Sequence, residues 1–373
     1  MHRRRTTGIW IAGVAAATLA LASCEGGVVD DGADGGSGGA GEFTLVLTSP
    51  KMSDQHPDLH PWMEQITERT DGRVQFETHF DGSLCSLADT SACISDGRAD
   101  LGFHSSSYNP AEFPITEIGS MPFQTSDIQA QGLAMQQLWN ESEEWQAEFD
   151  SANQHLLFFS PVGPHQLTMA EEVDSLEDLN GLSVRSTGGQ SINLDVLGAD
   201  PAAIAPVEVY EAIERGVLDG ASYPIELAAQ SQVAEVAPYV YDFGEHTGSM
   251  VMMMWSMNLE TWESLPGDVQ DVITEVSEEI LDGIVPDYAV PAIEGACEAI
   301  ADAGGEFHPI GTEEEGQALE DEALPQHMDQ WTGAVEGGLE DPQAFLDRYH
   351  ELLEENASGD ERTPGEICRE HLG

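Results

Sequence analysis

The sequence DLNGLSVR, residues 178–185, gives the first indication of the fold class. Residues 181–185 predict a short apolar strand that ends at Arg185, and residues 206–215 predict the helix that comes after it. Another short strand is predicted directly after Gly220. Strand and helix therefore alternate along this stretch, a pattern typical of a mainly parallel α/β sheet.

The alternation continues on both sides of this stretch. Strands are predicted at residues 43–48, 74–79, 101–104, 156–159 and 250–257. Helices are predicted at residues 62–70 and 269–284, and in the second of these the apolar residues keep helical spacing. Pro286 and Pro291 are expected to kink or break that helix. The Glu- and Gly-rich tract at 304–338 is interpreted as surface loops and polar helix.

The charge balance excludes one class of partner. The 373 residues include 12 Lys and Arg against 69 Asp and Glu, a formal net charge of −57. Phosphate backbones are bound by clustered Lys and Arg, so a nucleic-acid partner is not expected. A hydrophobic content of 40% indicates that most of the chain folds, and its length favours two lobes or domains.

The first residues are typical of a secretory leader. Arginines at 3–5 precede an apolar run at 9–22, and about 14 residues is short for a membrane span. The run leads into a Leu-Ala-Ser-Cys sequence that resembles a bacterial lipobox. We therefore expect a lipoprotein signal peptide at 1–23, a lipidated Cys24 and a flexible Gly, Asp and Ser tether at 24–42. An ordinary secreted protein with an incidental cysteine is the alternative, and the export route, Sec or twin-arginine, stays open.

The acid excess favours a saline habitat. Without the three leader arginines, 9 basic residues stand against 69 acidic ones. Self-repulsion of this size shrinks with screening, because the Debye length falls to about 3 Å near 1 M salt. The hypothesis is a halophilic acidic surface that keeps the protein soluble. An acidic secreted protein from ordinary surroundings is the alternative.

Four cysteines remain once Cys24 is set aside, which is consistent with two disulfides outside the cytoplasm. Spacing favours Cys85 with Cys93 and, by elimination, Cys297 with Cys368. Eight residues of continuous helix would separate the first pair by about 12 Å, whereas a bridge needs Cα atoms within about 7 Å. Part of the intervening segment is therefore expected to be non-helical. Zinc is disfavoured, since neither pair has zinc-knuckle spacing.

Enzyme signatures are absent from the sequence. It has no phosphate-binding glycine loop followed by Lys, no dinucleotide fingerprint and no HExxH motif. His56 and His60 stand four residues apart, but Pro57 and Pro61 disfavour the helix that would align them as ligands. A loop or capping role, a ligand contact and a metal contact remain open for these histidines. We expect no catalytic residues, no metal and no cofactor.

Arg185 is the candidate binding residue that the sequence itself marks. It ends an apolar strand and is followed by Ser-Thr-Gly-Gly at 186–189, the place where ligands bind in open α/β sheets. A guanidinium there offers a planar fork that suits a carboxylate. An ion pair with one of the many acidic residues is the alternative, and position alone does not separate the two.

A series of motifs resembles one family. DLNGLSVR is followed by LGADP at 197–201 and by EVYEAIERGVLDG at 208–220. TDGRV at 70–74, DGRADLG at 96–102 and WESLP at 262–266 stand in the matching order. Together these motifs resemble the TRAP transporter solute-binding proteins, the DctP-like family, from about residue 43 to about residue 301.

The resemblance implies a two-lobed periplasmic-binding-protein-like α/β fold with hinge strands and a long lobe-spanning helix. The first lobe is expected at 43–162 plus about 247–285, and the second at about 163–246 plus about 286–335. A C-terminal helical segment is expected at 336–373.

The resemblance also implies a ligand site. The family's motif arginine, which binds the ligand carboxylate, corresponds to Arg185. Where members often carry another arginine, this chain has His165, which makes that charge pH-dependent if it titrates near 6.5. Where members often have Asn before Pro, it has Tyr223. These departures disfavour a sialic-acid-type ligand and favour a smaller or more apolar carboxylate.

Four further contacts are predicted from position. Ser105 and Ser107 follow a strand, so their hydroxyls are expected to face the cleft or solvent. Trp255 is expected to form the floor of the pocket or to belong to the core, and His56 is a candidate loop contact.

The implied function is capture of a small organic acid and its delivery to small and large integral TRAP membrane subunits. The protein is expected outside the cytoplasm, anchored by lipid to the outer face of the cell membrane. An acidic cation-binding surface lipoprotein and an extracytoplasmic hydrolase are the alternatives.

Overall fold

The structure, a computed structural model, describes residues 42–51, 59–204, 206–248, 251–284 and 288–373. The predicted leader, Cys24, the tether up to residue 41 and His56 lie outside the described residues. Among the helices that the structure describes, none is long and apolar enough to cross a membrane.

Five strands form the first sheet in the order β2-β1-β3-β10-β4. Strand β1 is parallel to β2 and β3, whereas β10 is antiparallel to both β3 and β4. The strands are β1 (Phe43–Thr48), β2 (Val74–His79), β3 (Leu101–Ser105), β4 (Gln154–Val162) and β10 (Val251–Asn258).

Six strands form the second sheet in the order β11-β9-β5-β8-β6-β7. Strand β6 is parallel to β7 and β8, and β5 is antiparallel to β8 and β9. Among the described strands, β10 of the first sheet and β5 of the second run against the others, and the remaining strands of each sheet share one direction. Both sheets are therefore mixed but mainly parallel, as expected. The strands are β5 (Gln166–Met169), β6 (Ser183–Arg185), β7 (Asp200–Ala202), β8 (Gly220–Tyr223), β9 (Tyr239–Tyr241) and β11 (Glu306–His308).

Helices surround both sheets. The first seven are α1 (Leu59–Arg69), α2 (Thr90–Ser95), α3 (Ile128–Glu141), α4 (Glu143–Ser151), α5 (Gly189–Val196), α6 (Pro206–Glu214) and α7 (Ile225–Gln230). The others are α8 (Gly244–Thr247), α9 (Leu259–Ser264), α10 (Gly267–Ile284), α11 (Val290–Asp302), α12 (Glu313–Ala334), α13 (Pro342–Glu355) and α14 (Pro364–Leu372).

The predicted break is found, because α10 ends at Ile284 and the next described helix is the separate helix α11. Pro291 lies in the first turn of α11, where proline is tolerated because no backbone donor is lost, and Pro286 lies outside the described residues. The tract at 304–338, expected as surface loops and polar helix, is mostly the single 22-residue helix α12. Leu319, Ala323 and Trp331 of this helix are buried, so its polar composition hides one packed face.

Each sheet has its own hydrophobic core, and the fold is two-lobed. In the first lobe, Leu47, Phe103 and Trp255 pack with Ile273 of α10. In the second lobe, Leu167 and Val184 pack in a core that also holds residues of α12.

Helix α12 connects the two cores. Its Leu319 and Ala323 pack with the second sheet, while Trp331 packs with Met254 and Phe345 in a cluster of the first lobe. The C-terminal segment also contacts both lobes, since α13 packs on α3 and α14 packs on α11.

Both disulfides join the predicted partners, which confirms the pairing. Cys85 and Cys93 have Cα atoms 6.6 Å apart, and Cys297 and Cys368 have Cα atoms 5.2 Å apart. Helix α2 begins only at Thr90, so the segment before it is non-helical as expected. The second bridge fixes α14 to α11.

Candidate ligand site at the end of strand β6

Three neighbouring strands bring the predicted site residues to one edge of the second sheet. Arg185 is opposite Ala221 in the parallel pairing of β6 with β8. Tyr223 ends β8 and is opposite Gln166, the first residue of the antiparallel strand β5. His165 directly precedes that residue, so Arg185, Tyr223 and His165 meet although they are far apart in the sequence.

Glycines allow the chain to turn sharply after Arg185. Gly188 has a φ of +59°, a left-handed conformation that favours glycine, and α5 begins at the next residue. A Cβ atom on Gly189 would lie 2.9 Å from Cδ of Pro122, which belongs to the first lobe. The absence of side chains therefore lets the first lobe approach the turn that follows Arg185.

Arg185 is held rigidly beneath this turn. It is 2% exposed, its Nε donates to the carbonyl of Ile204 at 3.2 Å, and its Nη1 donates to the carbonyl of Ser222 at 3.2 Å. Its guanidinium carbon lies 4.6 Å from the ring centroid of Tyr223. Nη2 makes no hydrogen bond to the residues that the structure describes.

No described carboxylate pairs with the Arg185 charge. Every other arginine in the described ranges lies within 4.0 Å of an acidic side chain. The pairs are Arg69–Glu279, Arg73–Asp268, Arg98–Asp96, Arg215–Glu211, Arg348–Glu141, Arg362–Asp360 and Arg369–Asp242. A buried cation without a counter-ion is costly, which sets Arg185 apart from the other described arginines.

His165 lies beside Arg185 as a neutral group. It is 3% exposed, and its Nδ1 is 2.8 Å from Oγ of Ser222. Burial, assisted by the positive charge of Arg185, lowers the pKa of His165 to about 3. The expected pH-dependent charge near 6.5 is therefore not found, because the site desolvates the imidazole and already holds a cation.

The free face of His165 is suited to hydrogen bonding. Its Nε2 is buried and has no hydrogen-bond partner in the described part of the chain. When the Ser222 hydroxyl donates to Nδ1, the neutral tautomer carries its proton on Nε2. That N–H can donate to a carboxylate without adding a second charge.

Tyr223 supplies the apolar wall of the site. Its side chain is fully buried in the second-lobe core, and burial raises its pKa to about 12 against the opposing effect of Arg185. The ring is therefore neutral and presents its π face to the guanidinium, a favourable cation–π arrangement.

The first lobe places Ser107 opposite the turn. Its Oγ lies 3.9 Å from the position of a Cβ on Gly188 and donates to Oε1 of Glu117 at 3.3 Å. Ser105 is fully buried, and its Oγ accepts from the backbone N–H of Ser107 at 3.3 Å. Ser107 thus faces the cleft, whereas Ser105 shapes the turn that carries it.

Trp255 and His60 lie away from Arg185. Trp255 is fully buried in the first-lobe core, with its ring centroid 5.0 Å from that of Phe103. The exposed His60 has its ring centroid 6.2 Å from that of Phe80. Across the described ranges, no group of three or more His, Cys, Asp or Glu side chains is arranged to hold a metal ion.

Two charged residues near the cleft were not identified from the sequence. Lys51 follows β1, and its Nζ lies 4.9 Å from the ring centroid of Phe103. Glu226 lies in the first turn of α7, three residues after Tyr223. No sequence motif marked either residue, and only the fact that Lys51 is the sole lysine of the sequence could have drawn attention to it.

The sequence matches the profile described as bacterial extracellular solute-binding protein, family 7 (DctP), over residues 46–332. The chain belongs to this family. Members of the DctP family are extracytoplasmic receptors that bind solutes and are not enzymes.

A curated relative and two solved structures illustrate the similarity. A solute-binding protein of Sulfitobacter sp. (strain NAS-14.1) is 28% identical over 254 residues, 63% of this chain and 72% of the relative. A TRAP periplasmic solute-binding protein from Desulfovibrio salexigens DSM2638 superimposes with a TM-score of 0.72 at 25% identity, covering 86% of this chain and 98% of that protein.

The second structure is a TRAP solute-binding protein from Rhodoferax ferrireducens T118 in complex with copurified benzoate. It has a TM-score of 0.73 at 20% identity and covers 85% of this chain and 99% of that protein. At this identity the likeness shows the fold, and both neighbours match the arrangement of two sheets in two lobes.

Proposed function

We propose that this protein is the extracytoplasmic receptor of a TRAP-type secondary transporter and captures a small organic acid anion through Arg185. The observation that carries the proposal is the buried guanidinium without a carboxylate partner among the described residues. A carboxylate ligand would supply the missing charge, and Nη2 of Arg185 and Nε2 of His165 are the donors that would receive it.

Lobe closure would make this pair strong. An Arg–carboxylate interaction gains strength in a water-poor cleft only when the remaining polar groups are also hydrogen-bonded. Ser107 of the first lobe approaches the turn after Arg185, so closure would bring its side-chain oxygen next to the donors of the second lobe. The ligand would thereby shift the population toward the closed form.

The wall of the site favours a small ligand with an apolar body. Tyr223 offers a ring face instead of an amide, and neutral His165 adds a donor without a second positive charge. A compact monocarboxylate fits this chemistry better than a ligand with several anionic groups. The copurified benzoate in the Rhodoferax ferrireducens protein is a ligand of this kind.

We further propose that the receptor delivers its ligand to small and large integral membrane subunits while a lipid on Cys24 holds it at the outer face of the membrane. The stretch after Cys24 is rich in Gly, Asp and Ser, a composition typical of a flexible tether. The acidic surface is proposed to adapt the protein to a saline medium.

A thermal-shift screen over organic acids in molar NaCl, followed by calorimetry, tests the central proposal. We expect at least one small carboxylate to raise the melting temperature and to bind with micromolar or better affinity. Arg185→Gln should abolish both effects. The control is Arg215→Gln, because Arg215 is exposed and pairs with Glu211 one turn away. Equal binding by the wild type and Arg185→Gln would refute the assignment.

A further inference from the structure

Glu226 carries a buried carboxyl oxygen three residues after Tyr223, which belongs to the proposed ligand site. It lies in the first turn of α7, after Tyr223 and Pro224, on the lobe that carries Arg185. Its Oε2 is buried and has no hydrogen-bond partner on any other residue that the structure describes. Apart from Lys51, its own backbone N–H is the group that stabilises its charged form. A buried acceptor of this kind needs a donor from elsewhere.

The positive charge of Lys51 influences this carboxyl group. Lys51 follows strand β1 of the first lobe and lies over the ring of Phe103. Burial raises the pKa of Glu226, and the positive charge of Lys51 opposes that rise across the cleft. The charge of Lys51, which belongs to the first lobe, therefore acts on the Glu226 carboxyl group of the second lobe.

The Arg185–His165 pair and Glu226 favour opposite kinds of ligand group. Arg185 and His165 present donors, which suit the carboxylate of the ligand. Glu226 presents an acceptor, which suits a hydroxyl or amine group and disfavours a second carboxylate. Tyr223, whose ring contacts the Arg185 guanidinium, precedes Glu226 by three residues in the sequence.

We infer that Glu226 is the second ligand anchor and that the ligand is a monocarboxylate with a hydrogen-bond donor, a hydroxyl or amine group, away from its carboxylate. This inference rests on the proposed function, because it places the ligand carboxylate on Arg185. It extends that function by naming the polar group that selects among small acids.

Matched acid series test the inference by calorimetry on the intact protein in molar NaCl. Each series contains an unsubstituted aliphatic or aromatic monocarboxylate, its hydroxy and amino derivatives, and the dicarboxylate of the same length. We expect the wild type to bind a hydroxy or amino acid at least about tenfold more tightly than the unsubstituted acid and the dicarboxylate. The hydroxy and amino arms show which donor is preferred.

Variants then assign the preference to Glu226. Glu226→Leu should reduce the preference to about onefold while changing the affinity for the unsubstituted acid by less than about threefold. Glu226→Gln keeps an acceptor oxygen, so it should retain part of the preference and serves as the second variant if the leucine variant fails to fold. Glu214→Leu, on an exposed position of the same lobe, is the matched control and should behave as wild type.

Two outcomes separate this inference from the proposed function. The inference alone is overturned if binding requires Arg185 but shows no preference for acids that carry a hydroxyl or amine group. It is also overturned if that preference survives in Glu226→Leu. Failure of every acid to bind the wild type overturns the proposed function together with the inference.

Discussion

The guanidinium carbon of Arg185 lies 4.6 Å from the centroid of the Tyr223 ring, and both side chains are buried. The two carbonyl contacts of Arg185 fix the plane of the guanidinium, and the ring supports its face. Because no described carboxylate takes part, the ring compensates only partly for the lost hydration of the cation. Arg185 is therefore a buried cation whose charge no described carboxylate balances.

Removal of the Arg185 charge is predicted to abolish binding without loss of the fold. Arg185→Gln eliminates an unpaired buried cation, so the melting temperature of the ligand-free protein should stay the same or rise. Acid-dependent stabilisation should disappear. Differential scanning calorimetry with and without ligand measures both quantities. A large drop in the melting temperature of the ligand-free variant would instead indicate a structural role for the arginine.

The face of the Tyr223 ring is predicted to contribute to ligand affinity through its contact with the Arg185 guanidinium. Tyr223→Leu removes the cation–π contact, which contributes about 1–2 kcal/mol when desolvated, so ligand affinity should fall roughly tenfold. Tyr223→Phe keeps the ring and should bind within about threefold of wild type. Calorimetric titration of both variants with the same acid makes the comparison. Equal losses in the two variants would contradict the role of the ring.

Sequence reasoning identified Arg185 because a strand end followed by a glycine-rich turn has a local signature. The bounds of β2 at residues 74–79 were also predictable, since they depend on local alternation and turns. The direction of β10 was not predictable from the sequence, because its antiparallel pairing with β3 and β4 is set by partners far away in the chain. A polar helix was predicted in the tract that holds α12, but its buried face was missed because the Glu-rich composition conceals it.

The charge state of His165 could not be predicted from the sequence, and neither could the effect of the Lys51 charge on Glu226. A pKa depends on burial and on neighbouring charges, and neither is visible before the strands are assembled. Glu226 became a candidate only when its carboxylate proved to be buried without a hydrogen-bond partner on another described residue.

Buried His165 is predicted to destabilise the fold on acidification. Its pKa is about 3 in the folded protein, against about 6.5 when unfolded, so the unfolded chain binds the proton first. The contribution of neutral His165 to the free energy of unfolding is fully present above about pH 6.5. It is lost as the pH falls from about 6.5 towards 3, at up to about 1.4 kcal/mol per pH unit.

Urea unfolding of wild type and His165→Gln at pH 7 and pH 5 measures this contribution. The free energy of unfolding should fall more steeply for the wild type, so the gap between the two proteins narrows or reverses at the lower pH. An identical change with pH in the two proteins would show that His165 does not titrate in this way.

The disulfide between Cys297 and Cys368 is predicted to be the more stabilising of the two. It closes a loop of 71 residues and ties α14 to α11, whereas the other bridge closes a loop of 8 residues. Chain-entropy arguments give about 4.4 kcal/mol for the long loop and about 2.5 kcal/mol for the short one. Double alanine variants of each pair, compared by chemical denaturation, test the order. A larger loss for the Cys85–Cys93 pair would contradict it.

Salt is predicted to stabilise this protein strongly, because its net charge of −57 makes the folded state repel itself. The exposed ion pairs of its few arginines weaken with salt, but each contributes at most about 1 kcal/mol. Screening of the acidic surface should outweigh that loss, since the Debye length falls from about 10 Å at 0.1 M to about 3 Å at 1 M salt. The urea midpoint should therefore rise steadily from low to molar NaCl. Repeating the series at pH 4.5, where part of the carboxylates are protonated, should give a smaller rise, and a midpoint insensitive to salt at pH 7 would rule out the saline adaptation.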